Sequence, residues 1–211
     1  MNKASSTALA SNRFARRRER TRQDLLEAAT RVLAEKGLHE TKISDIAAAA
    51  DVGVGTFYLH FATKEALFDA VVEDTITRLK ATVDAARATG TNPVEKLRLA
   101  DEALFRFARE NREVFKIVFG HAAAYNDLIR RAQGLFIADV EDTIREGIET
   151  GVFAPMPPAL VAQAMIGMAT HMISWWTENE TIASETLIET ITTLALRGLT
   201  PAEPAKGVDN G

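Results

Sequence analysis

The chain has no cysteine, and this absence excludes several kinds of chemistry at once. Without a thiol there is no disulfide, no cysteine-ligated metal and no thiol nucleophile. A protein that needs no oxidation suits a reducing compartment, so the composition favours a cytoplasmic location.

Long uninterrupted hydrophobic runs are also missing. The most apolar stretch, residues 160–176, is broken by Gln163, Thr170, His171 and Ser174, and its apolar residues follow a helical stripe. The N-terminus lacks the hydrophobic segment of a secretion signal. We therefore expect a cytoplasmic protein with no membrane partner.

Strand-like alternation of useful length is absent, and long amphipathic helical patterns take its place. With 211 residues, of which 46% are hydrophobic, the chain can build a small domain and a larger one with its own core. We expect an all-α protein with a break near Gly120. The longer predicted helices cover residues 20–36, 63–88, 125–150, 159–178 and 184–197, with one more beginning at Pro93.

Motifs of catalysis are not found, although an enzyme is the rival class that they would indicate. There is no nucleophile elbow, no Gly-rich phosphate loop after a strand and no pair of acids in an acidic cleft. Gly53 and Gly55 lack the further glycine of a dinucleotide site. His121 and His171, the alternative metal ligands, lie on separate segments with no partner histidine at helical spacing. We expect no enzyme activity, no metal and no cofactor.

Positive charge is concentrated at one end of a chain whose formal net charge is −4. In the first 22 residues Lys3 and six arginines face a single acid, Glu19. Such a run fits either a solvated tail or an arm that grips the DNA backbone or minor groove, and the segment that follows it favours the arm. Residues 1–12, rich in Ser, Ala and Thr, are expected to be disordered without DNA. The arginines are Arg13, Arg16, Arg17, Arg18, Arg20 and Arg22.

The most informative segment is residues 41–67, TKISDIAAAADVGVGTFYLHFATKEAL, which encodes two short helices, a tight turn between them and a third helix directly after. Thr41 or Ser44 can cap the first short helix. Gly53 is expected to supply the positive φ of the turn, with Val52 plugging it into the core. The apolar positions that recur at helical spacing in the first helix are Ile43, Ile46, Ala47 and Ala50.

The second short helix begins near Val54 and is expected to bury Phe57 and Phe61, which are four residues apart. Its other face presents Tyr58, Leu59 and His60 outward, which is unusual unless something binds there. Gly55 and Thr56 leave the leading face nearly bare. Thr63 is expected to cap the next helix, with amides directed at the bound partner. This arrangement predicts a helix-turn-helix.

Residues 53–61, together with Lys64-Glu65-Ala66-Leu67, closely resemble the DNA-binding region of the TetR family of bacterial transcriptional regulators. The resemblance covers about residues 20–70. It implies that Tyr58 and His60 bind phosphates and that Lys64 reaches the DNA backbone. It also implies that Gly55 and Thr56 lie against the major groove, while neighbouring phosphates are held by Thr41, Lys42 and Ser44.

Two positions depart from the commonest form of the family pattern. Val54 stands where a small polar residue is frequent, and Leu59 where a polar or aromatic residue is frequent. Both changes remove potential hydrogen bonds to DNA. Base recognition at these positions is therefore expected to rely on apolar contact with thymine methyls and on DNA shape.

The sequence thus predicts a three-helix DNA-binding domain over residues 13–70 and a helical ligand-binding and dimerisation domain over residues 71–199. The segment 1–12 is the predicted arm. Residues 200–211, with Pro201 and Pro204, form a tail with no reason to fold.

The last two predicted helices carry apolar residues on more than one side. One stripe, at alternating spacings of four and three, can pack inside the monomer. Flanking residues such as Trp176 and Ile188 widen the apolar arc, so a second copy is expected to cover the other side in a four-helix bundle, as the resemblance also implies. Met168→Asp is expected to separate this homodimer. The stripe consists of Val161, Met165, Met168, Met172, Trp175, Leu187, Ile191 and Leu194.

Aromatic rings, thioethers and two imidazoles gather in the middle of the second domain. They fit an ordinary core, but the resemblance implies an inducer cavity between these helices, whose walls suit a small apolar or aromatic effector. The predicted lining is Phe105, Phe119, His121, Tyr125, Met168, His171, Met172 and Trp175.

A homodimer presents two recognition helices to half-sites about one DNA turn, roughly 34–36 Å, apart, so the predicted operator in double-stranded DNA is nearly palindromic. The resemblance implies a repressor that an effector releases by moving the long fourth helix. The alternative is a sequence-specific or architectural DNA-binding protein that has no effector.

Overall fold

The computed structural model describes residues 3–120, 122–179 and 181–200, and the side chains from Phe14 onward except those at positions 38 and 122–124. The described residues are helical with no strand, so the all-α prediction is confirmed. His121 and the predicted tail from residue 201 lie outside the described residues. The helices are α1 Lys3–Glu40, α2 Ile43–Ala49, α3 Val54–Tyr58, α4 Lys64–Arg87, α5 Pro93–Glu110, α6 Arg112–Gly120, α7 Ala122–Glu149, α8 Pro158–Glu178 and α9 Ser184–Leu199.

Helix α1 begins earlier than the predicted start at residue 20, so its helical backbone includes residues 3–12, the segment assigned to a disordered arm. The predicted stop at Gly37 corresponds to a real break. Gly37 has φ 72° and ψ 172°, a conformation that costs a glycine little, and a short helical end continues beyond it to Glu40. The domain limits at residues 12, 70 and 199 stay predictions.

Helix α4 ends within a residue of its predicted end, and α5 begins at Pro93 as predicted. The side chain of Asn92 accepts the Glu95 N–H at 3.0 Å and so caps α5. The break at Asn111 was not predicted, because no proline or glycine marks it and the apolar pattern continues through it. There the Asn111 carbonyl accepts the amides of Val114 and Phe115 and starts α6.

The fold divides into two compact units, with the division inside α4 between Thr77 and Arg78. The first unit contains α1, α2, α3, the first part of α4 and the segment Asn111–Val118. In it α1 packs on α2 and α2 on α3. Its interior is formed by Leu25, Leu26, Leu33, Ile46, Phe57, Leu67, Val71 and Val72, all at most 2% exposed.

The second unit contains the end of α4 with α5, α7, α8 and α9. Helix α7 packs on α8, and α5 packs on both α7 and α9. Gly147 of α7 lies directly against the ring of Phe153, so a Cβ at this position would come within 2.0 Å of the ring. The core of this unit consists of Leu97, Ile144, Phe153, Met165, Ala195 and Leu199.

Within the described part of the chain, every helix is either too short or too polar to cross a membrane.

Candidate DNA-binding surface

Helix α2 is capped by its own first turn and not by Thr41 or Ser44, which were the predicted caps. Lys42 is the N-cap residue, and its amide donates to the carboxylate of Asp45 at 3.3 Å. Asp45 also pairs with Lys36 of α1 at 3.0 Å, and the hydrogen bond with Lys36 lowers the pKa of this carboxyl. This pairing links the start of α2 to α1.

The turn between α2 and α3 takes its positive φ at Asp51, with φ 54°, and not at Gly53 as predicted. Asp51 donates its amide to the Ala48 carbonyl at 3.1 Å, and Val52 donates to the Ala47 carbonyl at 2.9 Å. These two bonds form a Schellman end to α2, in which Asp is one of the few side chains that tolerate the left-handed region. Gly53 is extended, with φ −72° and ψ 152°, and precedes α3 as its N-cap.

Helix α3 has only five residues and is anchored from beneath by two phenylalanines, as predicted. Phe57 is 0% exposed and Phe61 is 5% exposed, with their ring centroids 5.9 Å apart. The Tyr58 ring meets the buried Phe57 ring edge-on, with 5.4 Å between the ring centroids, and this contact orients the phenol.

The opposite face of α3 is open. Val54, Tyr58 and Leu59 are 44%, 55% and 71% exposed, and Thr56 is half-buried. Gly55 is exposed, and a Cβ built on it would meet nothing within 4 Å. A helix this short with a bare central residue allows another surface to approach its backbone closely.

The start of α4, which follows α3 in the chain, forms another edge of this surface. The hydroxyl of Thr63 accepts the Ala66 amide at 3.1 Å, so the predicted cap is confirmed. The Lys64 ammonium lies over the Phe68 ring at 5.2 Å from its centroid.

Two arginines of α1 belong to this surface, although the sequence pattern placed them only in a general basic arm. Arg18 donates to the Leu59 carbonyl at 3.4 Å, and the Arg22 guanidinium lies 5.3 Å from the centroid of the Phe61 ring. Burial first, and then the charges of Arg18 and Arg22, lower the pKa of half-buried His60. The spacing of four between the two arginines is the signal that they share one helical face.

The residues implied to bind neighbouring phosphates divide into two groups. Lys42 and Ser44 are exposed. Thr41 is only 1% exposed, and its hydroxyl donates to the Gly37 carbonyl at 2.6 Å, so it braces the turn after α1 and does not lie on the open surface.

The predicted effector residues are scattered within the second unit. Phe105 is buried, Phe119, Tyr125 and Met172 are half-buried, and Met168 packs against the interior core. Trp175, 40% exposed, and His171 lie on the outer side of α8, because neighbouring helical positions point about 100° apart and the buried stripe passes through Trp176 instead. The indole N–H of Trp176 donates to the Ile182 carbonyl at 3.0 Å.

The second unit also has open grooves of about 430 and 630 Å³ along α9, and neither is lined by a predicted effector residue. The sequence patterns missed one polar group, Asp101 of α5, one turn from Leu97 and Phe105. Burial, followed by the nearby charge of Glu102, raises the pKa of Asp101 to about 7. The described residues bring together no group of three or more potential metal ligands.

Helix α3 is short and exposed, packs on Phe57 and Phe61, and lies beside arginines and a capped helix start. These features define a helix-turn-helix DNA-binding protein with a second helical unit. The profile described as bacterial regulatory proteins, tetR family, matches residues 25–71, and that described as tetracyclin repressor-like, C-terminal domain, matches residues 90–199. The chain belongs to the TetR family of transcriptional regulators.

Relatives in sequence and structure are regulators as well. The uncharacterized HTH-type transcriptional regulator YhgD of Bacillus subtilis is 26% identical over 180 residues, covering 83% of this chain and 94% of that protein. The HTH-type transcriptional repressor KstR2 of Mycolicibacterium smegmatis is 26% identical over 198 residues, covering 88% and 93%.

Among solved structures, the ketosteroid transcriptional regulator KstR2 of Mycobacterium tuberculosis matches with a TM-score of 0.65 and 25% identity, over 85% of this chain and 95% of that one. RolR, solved in complex with resorcinol, matches with a TM-score of 0.60 and 25% identity, over 88% and 90%.

Proposed function

We propose that the protein is a homodimeric transcriptional repressor that binds a nearly palindromic operator in the cytoplasm and is released by a small apolar or aromatic effector. The exposed face of α3 carries the DNA-binding part of this proposal. It offers bare backbone at Gly55 for close approach, and Tyr58 and His60 stand beside it for phosphates, with Arg18 and Arg22 adding positive charge.

The apolar side chains at the centre of this face determine how bases are recognised. Val54 and Leu59 have no hydrogen-bonding side-chain atoms, so they contact thymine methyl groups and leave the rest of the discrimination to DNA shape. The acidic remainder of the chain raises the importance of the local arginines, because phosphate binding depends on cations that displace counterions.

The dimer is proposed to form through the outer sides of α8 and α9. Leu160 and Trp175 of α8 and Leu194 of α9 are 69%, 40% and 61% exposed, and a second copy would cover these apolar side chains. Met168 faces the interior core instead, so Met168→Asp would damage the monomer and is not a test of the interface. Twofold symmetry would place two copies of α3 about 34–36 Å apart.

Relatives support the repressor and effector assignments. KstR2 is named a repressor and a ketosteroid regulator, and RolR was solved with resorcinol, an aromatic molecule. The half-buried Phe119, Tyr125 and Met172 supply apolar and aromatic walls for a comparable effector.

The experiment is selection of genomic fragments by the purified protein, followed by footprinting of the fragment it retains. The proposal predicts a protected, nearly palindromic site, and release of that site by at least one member of a panel of aromatic and steroid-like compounds. Protection without release by any compound would favour the alternative, a DNA-binding protein with no effector. Protection spread over all sequences would indicate an architectural protein and contradict the repressor assignment.

A further inference from the structure

A cluster of four charged side chains joins the end of α4 to α7 inside the second unit. Asp139 of α7 accepts from Lys80 at 2.9 Å and pairs with Arg87 at 3.1 Å, and both cations belong to α4. Asp84, between them on α4, also bonds Lys80 and pairs with Arg87 at 3.3 Å. We refer to Lys80, Asp84, Arg87 and Asp139 as the Asp139 cluster.

The Asp139 cluster connects two helices and is not confined to the surface of one helix. Three of its members lie one turn apart along α4, and Asp139 is the member contributed by α7. The Lys80 ammonium also lies 5.8 Å from the centroid of the Phe136 ring, one turn before Asp139. Separation of the two helices would break the Lys80 and Arg87 contacts to Asp139 and the ring contact together.

The surroundings are partly shielded from water, since the four side chains are 23–39% exposed. Burial acts to raise the pKa of Asp139, but the hydrogen bond from Lys80 and the charge of Arg87 outweigh it and hold the pKa below its usual value. For Lys80 burial acts in the opposite direction, and its bonds to Asp84 and Asp139 raise the pKa. Asp139 and Lys80 are therefore both charged near neutral pH.

We propose that Asp139 is a positioning residue for operator binding: by holding Lys80 and Arg87, it fixes the C-terminal half of α4 against α7 in the form that binds DNA. An effector that releases the DNA must then part the Asp139 cluster. This inference rests on the proposed function, because its consequence is read through the operator.

Helix α4 connects the two regions, because it begins at Lys64 on the DNA-binding surface and ends at Arg87 in the Asp139 cluster. A displacement of the Arg87 end would then reach the Lys64 end through one continuous helix. A few-fold effect of the Asp139 cluster on the equilibrium between two positions of α4 is enough to favour one position. An effector can then still shift the helix to the other position.

The chain offers a matched control on the same helix. Asp142 follows Asp139 by three residues, is exposed, and pairs with Arg145 within α7 at 3.4 Å. Asp139→Asn and Asp142→Asn therefore remove the same charge from the same helix, but only the first breaks a contact with α4. Loss of a negative charge alone would strengthen binding to DNA.

The test measures affinity for the footprinted fragment, well below the unfolding temperature of each variant. Asp139→Asn should weaken binding roughly three- to tenfold against Asp142→Asn. Asp139→Glu, which retains a carboxylate, should recover most of the loss. In a double-mutant cycle, Lys80→Met with Asp139→Asn should weaken binding no more than the stronger single change.

If Asp139 only stabilises the fold, Asp139→Asn would lower the unfolding temperature and leave the affinity of the folded protein unchanged. That result would overturn the proposal. Hydrogen–deuterium exchange over residues 78–87 gives a second readout without DNA. Exchange there should accelerate several-fold in Asp139→Asn and not in Asp142→Asn. If the protein binds no DNA, the proposed function fails, and unchanged exchange would independently refute the cluster as an anchor of α4.

Discussion

Gly55 is the residue at which stability and function make opposite demands. It lies inside α3, where glycine is less favourable than alanine, and a Cβ there would touch nothing within 4 Å. Gly55→Ala is therefore expected to stabilise the protein by about 0.5–1 kcal/mol and yet weaken operator binding roughly tenfold, because the added methyl prevents close approach to DNA. Thermal unfolding and a binding titration measure the two effects.

Gly134→Ala provides the comparison, since Gly134 of α7 is equally exposed and open but far along the chain from α3. It should stabilise the protein and leave DNA binding unchanged. Equal affinities for the Gly55→Ala and Gly134→Ala proteins would show that the backbone of α3 does not approach DNA closely.

His60 should make operator binding depend on pH. Burial and the charges of Arg18 and Arg22 lower its pKa in the free protein, whereas a phosphate partner would raise the pKa in the complex. Between these two values DNA binding takes up a proton, so affinity should increase as the pH falls from about 8 to about 6. Titrations of binding at several pH values measure this slope.

The slope should disappear in His60→Gln and persist in His171→Gln, because His171 lies exposed on α8. Persistence of the full slope in His60→Gln would remove this imidazole from the phosphate contacts. Because the pKa of His60 is lowered in the folded chain, this group reduces the stability of the free protein as the pH falls from its ordinary pKa of 6.5 to the lower folded pKa.

At the scale of elements, the junction after α7 depends on Gly147, which has no side chain. Gly151, with φ 74°, ends the helix, and Phe153 folds back so that its ring occupies the space beside Gly147. Gly147→Ala would place a Cβ within 2.0 Å of that ring, so the free energy of unfolding should fall by about 1–3 kcal/mol. Urea denaturation measures the loss, and a stability equal to that of Gly134→Ala would contradict the packing described here.

The helical elements were largely predictable because each has a local signal. Thr63 before α4, Asn92 and Pro93 at α5, and Gly37 after α1 mark ends through hydrogen-bonding side chains or through backbone freedom. The break at Asn111 has no such signal, so its position depends on packing that a one-dimensional pattern does not contain.

The site was predictable in its residue types and less so in its geometry. The buried pair Phe57 and Phe61 follows from helical spacing alone. The left-handed position is Asp51 and not Gly53 because it directly follows the C-cap of α2. The sequence pattern does not fix the end of α2 to a single residue. Thr41 is hidden for a similar reason, since its hydroxyl is engaged by the carbonyl left open at Gly37.

Interior and interface positions of α8 were harder to separate, because both are apolar. Met168 and Trp175 belong to one predicted stripe, but the first packs on the core and the second is 40% exposed. A stripe at spacings of three and four fixes a face of the helix and leaves open what covers each part of it.

At the scale of the whole molecule, the assembly should depend on Leu194. This side chain is 61% exposed on α9, so Leu194→Asp should leave the monomer fold intact and convert a dimer to monomers by placing a charge in an apolar interface. Sedimentation velocity distinguishes the two states. Leu135→Asp on α7, where the leucine is 48% exposed, should remain dimeric, and a dimer in both variants would place the interface elsewhere.

Operator affinity should fall in parallel with dimerisation, because the proposed dimer would engage one nearly palindromic site with two copies of α3. A monomer keeps one set of contacts and loses the linked second binding event. The outer faces of α8 and α9 are therefore expected to affect DNA recognition through the symmetry of the dimer alone.

Sequence-specific DNA binding through α3 is measured by competition binding. The purified protein would be titrated onto fragments of its own upstream region in a salt series, with random DNA as competitor. We expect one nearly palindromic fragment to be retained over random DNA by about a thousandfold, with affinity that falls as salt rises. Equal retention of every fragment, or no binding to any, would contradict it.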